Sequence, residues 1–172
     1  MDFTPYIREV PDFPQPGVLF RDITPLLADA EAFDSAIEAM QEAAAAREPR
    51  AIVAIESRGF LFGAPLANRM GLPMVLVRKP GKLPAAHMTV EYALEYGENQ
   101  LDIHSDALAP GSRAYIVDDL LATGGTAQAT AKLAKSLGAD ICGLAFVVEL
   151  DFLNGREKLK DYDVVSLLHY DK

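Results

Sequence analysis

The chain has one cysteine, Cys142, no tryptophan and three histidines among its 172 residues. A lone thiol excludes a disulfide framework and a thiolate zinc cluster. His87, His104 and His169 are scattered without ligand spacing, so no histidine metal site follows. Positive charge is also scarce. The 16 Lys and Arg against 25 Asp and Glu leave a formal charge of −9, which opposes binding to a nucleic-acid backbone. A small phosphorylated molecule needs only a local cation and stays open. No apolar run approaches the roughly 20 residues of a membrane span. Met1–Val10 lacks the basic and apolar regions of a signal peptide, so the cytosol is the expected location. Neither GxxxxGK[ST] nor GxGxxG occurs, which sets aside a P-loop and argues against a dinucleotide site.

What is present is a core-building composition, half hydrophobic and a quarter charged, that suits one globular domain over residues 1–172. Its most informative stretch is Ala114–Ala127. Ala114–Val117 reads as a short buried strand, Asp118 and Asp119 follow it, and Ala122–Thr126 is a loop of small residues. From Thr126 the pattern is helical, with Ala127, Thr130, Ala131, Ala134 and Leu137 on one face and Gly138 at the stop. A loop that opens a helix offers free backbone N–H groups and the positive end of the helix dipole to a phosphate. Gly124 and Gly125 allow close approach, and the Thr123 and Thr126 hydroxyls add hydrogen bonds. Adjacent carboxylates at a strand end suit a sugar diol better than a core. An ordinary strand–turn–helix junction with a solvated aspartate pair would show the same pattern.

The other segments alternate strand and helix. Thr4–Val10 reads as a short helix, followed by the irregular Pro11–Gly17 and the apolar Val18–Phe20. Asp29 caps a helix to about Arg47, and Ala51–Ile55 is a buried strand. Glu56-Ser57-Arg58-Gly59 then forms a second strand-to-helix turn before the helix Phe60–Met70, which ends at Gly71. An arginine beside a glycine at a helix start suits an anion, although Arg58 would also serve as a surface charge. Met74–Val77 is a strand, and Arg78–Met88 is a loop with Arg78, Lys79 and Lys82 close together. That loop reads either as solvated and basic or as a mobile lid over a polyanion. Thr89–Tyr96 and Gln100–His104 form a hairpin, and Ile141–Val148 and Val164–Leu168 are further strands. The implied fold is α/β, a doubly wound and mostly parallel sheet with flanking helices and its ligand at the strand C-terminal ends. A small N-terminal hood, about residues 1–34, and a lid and hairpin over 78–104 are added to it.

The Ala114–Ala127 stretch closely resembles the phosphoribosyl pyrophosphate (PRPP) motif of type I phosphoribosyltransferases. In that family the two acids hold the ribose hydroxyls and the Ala-Thr-Gly-Gly-Thr loop wraps the 5′-phosphate. The resemblance extends to Asp12–Pro14, Gly17–Ile23, Glu56–Phe60, Arg78–Pro84 and Leu94–Gly97, which in this order look like the adenine phosphoribosyltransferase family. It implies Leu19, Phe20, Arg21 and Leu121 around adenine, and Ser57, Arg58, Arg78, Lys79 and Lys82 on pyrophosphate. It also implies ribose on Asp118 and Asp119, the 5′-phosphate on Ala122, Thr123, Gly124, Gly125 and Thr126, and Glu95 and Tyr96 near the reacting base. Glu95 and Arg58 are the catalytic candidates. The implied cofactor is Mg²⁺, with Asp118 and Asp119 as the carboxylates open to it and no direct protein ligand assured. The resemblance further implies a homodimer and a cis Glu56–Ser57 peptide. Enzymes for hypoxanthine and guanine resemble this loop but carry an aspartate where Ala122 stands, which disfavours a 6-oxopurine. Glu91, Ala93 and the last ten residues depart from the family pattern.

The implied reaction is purine salvage, in which adenine and PRPP give AMP and pyrophosphate. Two rivals stay open: transfer to another purine such as xanthine, and a non-catalytic PRPP-sensing regulator. The regulator would usually carry a DNA-binding segment and a basic surface, and neither is visible in this sequence.

Overall fold

The computed structural model describes residues 1–93 and 98–172. Its centre is a seven-stranded sheet built from β3 (Ala51–Ile55), β4 (Met74–Arg78), β5 (His87–Ala93), β6 (Glu98–His104), β7 (Arg113–Leu121), β8 (Asp140–Leu150) and β9 (Val164–Tyr170), in the order β5-β6-β4-β3-β7-β8-β9. The five strands from β4 to β9 run parallel, and the β5–β6 hairpin adds an antiparallel edge. A second sheet of two strands pairs β1 (Arg8–Pro11) with β2 (Leu19–Asp22). Where a helix over Thr4–Val10 was expected, only Thr4–Tyr6 turns, as a single 3₁₀ turn. The rest is β1, because pairing with β2 satisfies its backbone groups better than a lone helical turn would.

Strand alternation sorts the side chains of the sheet into two cores. Ile116, Val53 and Ile55 pack on the face covered by α4 (Gly125–Ser136). Tyr115, Val117 and Ile52 pack on the other face, against α2 (Ala30–Ala45), which the short α1 (Thr24–Ala28) precedes, and α3 (Gly59–Met70). Helices on both faces explain why β3 is buried at every position and reads as continuous apolar sequence. Asp29 caps α2 by accepting from the Ala32 N–H at 2.9 Å, a contact typically worth about 1 kcal/mol. Gly71 ends α3 at φ 63°, a left-handed position that costs glycine nothing. At Gly63 a Cβ would stand 2.5 Å from the Ala54 Cβ, so α3 and β3 approach too closely for any side chain there.

The elements fall close to their sequence readings, with one difference that bears on function. The strand read as Ala114–Val117 runs on to Leu121, so Asp118 and Asp119 belong to β7 itself. Its last positions pair with β8, Asp118 opposite Phe146 and Leu121 opposite Glu149. The acidic pair is therefore held by sheet hydrogen bonding and does not ride on a loop.

Candidate active site

Two strand-to-helix crossings, β3 to α3 and β7 to α4, meet at the carboxyl ends of adjacent parallel strands. That is where an open α/β sheet leaves a crevice. A cavity of about 380 Å³ opens there, lined by Glu56, Ser57, Arg58, Lys79, Tyr92, Asn99, Leu101 and every residue from Asp118 to Ala127.

One wall is the acidic pair and the glycine loop. Asp119 is buried, and its Oδ2 lies 2.9 Å from Arg58 Nε. Asp118 Oδ1 accepts from the Asp119 N–H at 2.9 Å. Burial, and then the neighbouring charge of Asp119, raise the Asp118 carboxyl well above the usual range. Burial also raises Asp119, with Arg58 opposing it. A ligand that brings hydroxyl donors or positive charge favours the ionised form of both groups. Gly124 takes φ 75° as the N-cap of α4, and Gly125, Thr126 and Ala127, whose first-turn N–H groups have no partner within the helix, line the cavity. Thr126 is fixed on two sides: its Oγ1 lies 3.2 Å from Tyr92 Oη, and its carbonyl accepts from Thr130 Oγ1 at 2.9 Å.

The opposite wall is Glu56-Ser57-Arg58, whose Glu56–Ser57 peptide is cis, as the resemblance implied. Gly59 follows because the chain passes against β7. A Cβ there would lie 2.8 Å from Asp118 Oδ1 and 2.9 Å from the Val117 carbonyl. Glu56 organises the basic loop. It accepts from Arg78 Nη2 and Nε at 3.2 and 3.3 Å and from the Lys79 N–H at 2.9 Å, while Arg78 Nη1 donates to the Lys82 carbonyl at 3.1 Å. Burial pushes the Glu56 carboxyl up, but the Lys79 N–H and Arg78 outweigh it and hold the group below its usual range.

The structure thus gathers Ser57, Arg58, Lys79, Asp118, Asp119, Leu121, Ala122, Thr123, Gly124, Gly125 and Thr126 around one cavity. Arg78 and Lys82 stand behind its wall as parts of the loop closed on Glu56. In the hood strand β2, the Phe20 ring lies 5.4 Å from the Arg58 guanidinium. The Arg21 guanidinium faces away. It is buried, pairs with Glu9, donates to the Lys172 carbonyl at 2.8 Å and lies 3.8 Å over the Tyr170 ring. Leu19 is exposed, and none of Leu19, Phe20 and Arg21 lines the cavity. Glu95 and Tyr96 lie outside the described residues. Tyr92 and Asn99 line the cavity without having been singled out in the sequence, and Gly155 abuts the Ala122–Gly124 backbone. The only sequence signal for Gly155 is a glycine in a loop.

A paired carboxylate ledge, a glycine-opened helix N-terminus and facing cations share one cavity in a mostly parallel α/β protein, a donor and acceptor set whose chemistry suits a phosphorylated sugar. The phosphoribosyl transferase domain model matches residues 24–171. The adenine phosphoribosyltransferase of Synechococcus sp. is 56% identical over 171 residues, covering 99% of this chain and all of that one. That of Carboxydothermus hydrogenoformans is 55% identical over 170 residues, covering 99% and 100%. The crystal structure of adenine phosphoribosyltransferase from Thermoanaerobacter pseudethanolicus superposes with a TM-score of 0.95 at 54% identity, covering 98% of each chain. The Saccharomyces cerevisiae enzyme, in complex with an imino-altritol bisphosphate and adenine, superposes at 0.91 with 40% identity over 96% of each chain. The chain belongs to the adenine phosphoribosyltransferase family.

Proposed function

We propose that the enzyme transfers the 5-phosphoribosyl group of PRPP to adenine, giving AMP and pyrophosphate, and that it acts in the cytoplasm as a homodimer. The observation that carries this reading is the placement of Asp118 and Asp119 between a glycine-opened helix terminus and the Arg58 and Lys79 wall. The spacing suits one ligand with a phosphate at one end, a diol in the middle and a polyanion at the other. The first-turn N–H groups at Gly125–Ala127 and the hydroxyls of Thr123 and Thr126 take the 5′-phosphate. Asp118 and Asp119 accept from the ribose hydroxyls. Ser57, Arg58 and Lys79 face the pyrophosphate, with Arg78 and Lys82 setting the loop that carries Lys79.

In the reaction the purine N9 forms a bond to C1′ as the C1′–oxygen bond breaks, and the bonding pair leaves with pyrophosphate. The displacement inverts C1′. Positive charge that builds on the sugar ring faces Asp118 and Asp119, and negative charge on the leaving group faces Arg58. The proton released from the purine requires a base, and Glu95 is the proposed group. Phe20 and Leu121 offer apolar faces for the adenine ring, and Ala122 presents no carboxylate to a 6-oxopurine. Asp118 and Asp119, hard oxygen donors on the cavity wall, are the residues that would hold Mg²⁺. The ion would offset pyrophosphate charge. Exposed Leu61 on α3 and Leu76 on β4 give adjoining elements apolar surface for a second copy.

The test is AMP formation from adenine and PRPP with Mg²⁺, in the native enzyme and with Asp118→Asn and Asp119→Asn combined. The reading requires AMP from the first and loss of nearly all of it in the second. An undiminished yield from the double variant would refute the ribose assignment.

A further inference from the structure

The carboxyl ends of β8 and β9 carry a second group of ionisable side chains around a separate hollow of about 350 Å³. Glu149 is only 2% exposed, and both of its oxygens are occupied. Oε1 accepts from Arg156 Nε at 2.6 Å, while Oε2 accepts from Arg156 Nη2 at 2.8 Å and from Ser166 Oγ at 2.6 Å. Arg156 Nη1 donates to the Val164 carbonyl at 3.0 Å. Glu149, Asp151 and His169 converge closely enough to resemble a metal cluster. The guanidinium already holds Glu149, however, so the group is an ion-pair network.

What this network holds is the 3₁₀ turn Gly155–Leu159. The first residue of that turn touches the glycine loop of the cavity with no side chain between them. A Cβ on Gly155 would stand 2.2 Å from the Ala122 carbonyl oxygen, 3.0 Å from Leu121 Cδ1 and 3.1 Å from the Gly124 nitrogen. A Cβ on Gly124 would reciprocally meet the Gly155 oxygen at 2.4 Å. Backbone against backbone has no rotamer to absorb a shift, so any movement of the turn reaches the loop. Two further ties keep the parts together. Glu149 is the register partner of Leu121, and Gln128 of α4 donates to the Lys158 carbonyl at 3.2 Å.

We infer that Arg156, held by buried Glu149 and by Ser166, is a positioning residue that seats the Gly155 backbone against Ala122–Gly124. It thereby sets the shape of the loop that receives the 5′-phosphate. The inference rests on the assignment of that loop to the 5′-phosphate. A lysine at this position would keep the charge but lose the two-pronged grip, because an ammonium is a point donor and a guanidinium a planar fork. Arg156→Lys therefore changes geometry without leaving Glu149 buried and uncompensated.

The experiment is calorimetric titration of the folded enzyme with ribose 5-phosphate and, separately, with Mg²⁺-pyrophosphate. The variants are Arg156→Lys, Gly155→Ala, the loop variant Thr123→Val and the exposed-surface control Lys160→Ala. Arg156→Lys and Gly155→Ala are expected to weaken ribose 5-phosphate by about tenfold or more and Mg²⁺-pyrophosphate by less than about twofold, since small misplacements act locally on the groups they displace. Binding stoichiometry should match that of the native enzyme, which separates a misplaced loop from a partly unfolded sample. Equal weakening of both ligands, or unchanged ribose 5-phosphate binding in both variants, would overturn the inference. If Thr123→Val weakens ribose 5-phosphate while Arg156→Lys and Gly155→Ala do not, only the positioning role falls. If Thr123→Val also has no effect, the phosphate assignment of the loop falls, and the positioning role with it.

Discussion

Arg58 Nε lies 2.9 Å from Asp119 Oδ2, joining the β3–α3 turn to the end of β7 across the cavity. The arginine is more than a third exposed on its side chain and the aspartate almost wholly buried. The pair is thus a hinge between a solvated cation and a desolvated acid. Its charge opposes the effect of burial on Asp119. Arg58→Gln should therefore raise the Asp119 carboxyl further and move the acidic limb of the kcat/KM profile to higher pH. KM for PRPP should rise as well, by about tenfold, for loss of one charged hydrogen-bonding partner. A rate profile across pH 5 to 9 checks both, and an acidic limb that stays in place would contradict the coupling.

Asp118 yields a prediction about stability. Its carboxyl is raised in the folded protein, first by burial and then by the charge of Asp119. A raised acid binds more protons folded than unfolded, so its contribution is most favourable at low pH and is lost as pH rises from the ordinary carboxylate value through the raised one. Asp118→Asn, neutral at every pH, should melt higher than the native ligand-free enzyme near pH 7, with the gap closing near pH 4. The same variant should lose about 100-fold in kcat/KM, the scale of removing one preorganised charge from a reacting centre. Calorimetry over that pH range provides the check, and a lower melting temperature near neutrality would count against it.

Gly59 has no room for a side chain, because a Cβ would crowd both Asp118 Oδ1 and the Val117 carbonyl. Gly59→Ala should destabilise the fold by about 1–3 kcal/mol, as overpacking does, and should displace Asp118. Urea unfolding measures the first effect and KM for PRPP the second. A fully native KM would mean that α3 yields and Asp118 does not.

Glu56 is held below the usual carboxylate range because the Lys79 N–H and Arg78 outweigh its burial. Its contribution is present above the ordinary value and is lost as pH falls through the lowered one. Glu56→Gln removes that charge at neutral pH and leaves a single acceptor oxygen for Arg78 and the Lys79 N–H, loosening the loop. KM for PRPP should rise about tenfold while KM for adenine holds. A change confined to adenine would place Glu56 elsewhere in the mechanism.

How much of this was legible in the sequence depended on the reach of each interaction. The β7–α4 crossing was readable because its parts are local: an apolar run, two acids, two glycines and a helical pattern within 14 residues. The helix cap at Asp29 and the stop at Gly71 were readable for the same reason. The sequence reading ends this strand at Val117 because Asp118 and Asp119 break the apolar pattern, while pairing with β8 continues to Leu121. The N-terminal strand β1 has no local signature, because its partner lies beyond a proline-rich turn and pairing at that distance leaves no periodicity to read. Arg21 stood among the residues expected at the base, yet its side chain is committed to Glu9, Tyr170 and the Lys172 carbonyl, the last of these 151 residues away. Gly155 and Arg156 had no local signal, since their meaning comes only from the contact with Ala122 and Gly124.

The most direct test of the account is pyrophosphate release from PRPP and Mg²⁺ with adenine, hypoxanthine, guanine and xanthine offered separately. The account predicts release with adenine alone, abolished when Asp118 and Asp119 are both changed to asparagine. Release with a 6-oxopurine but not with adenine would contradict the reading of Ala122 and the hood. PRPP binding without release for any base would contradict catalysis itself.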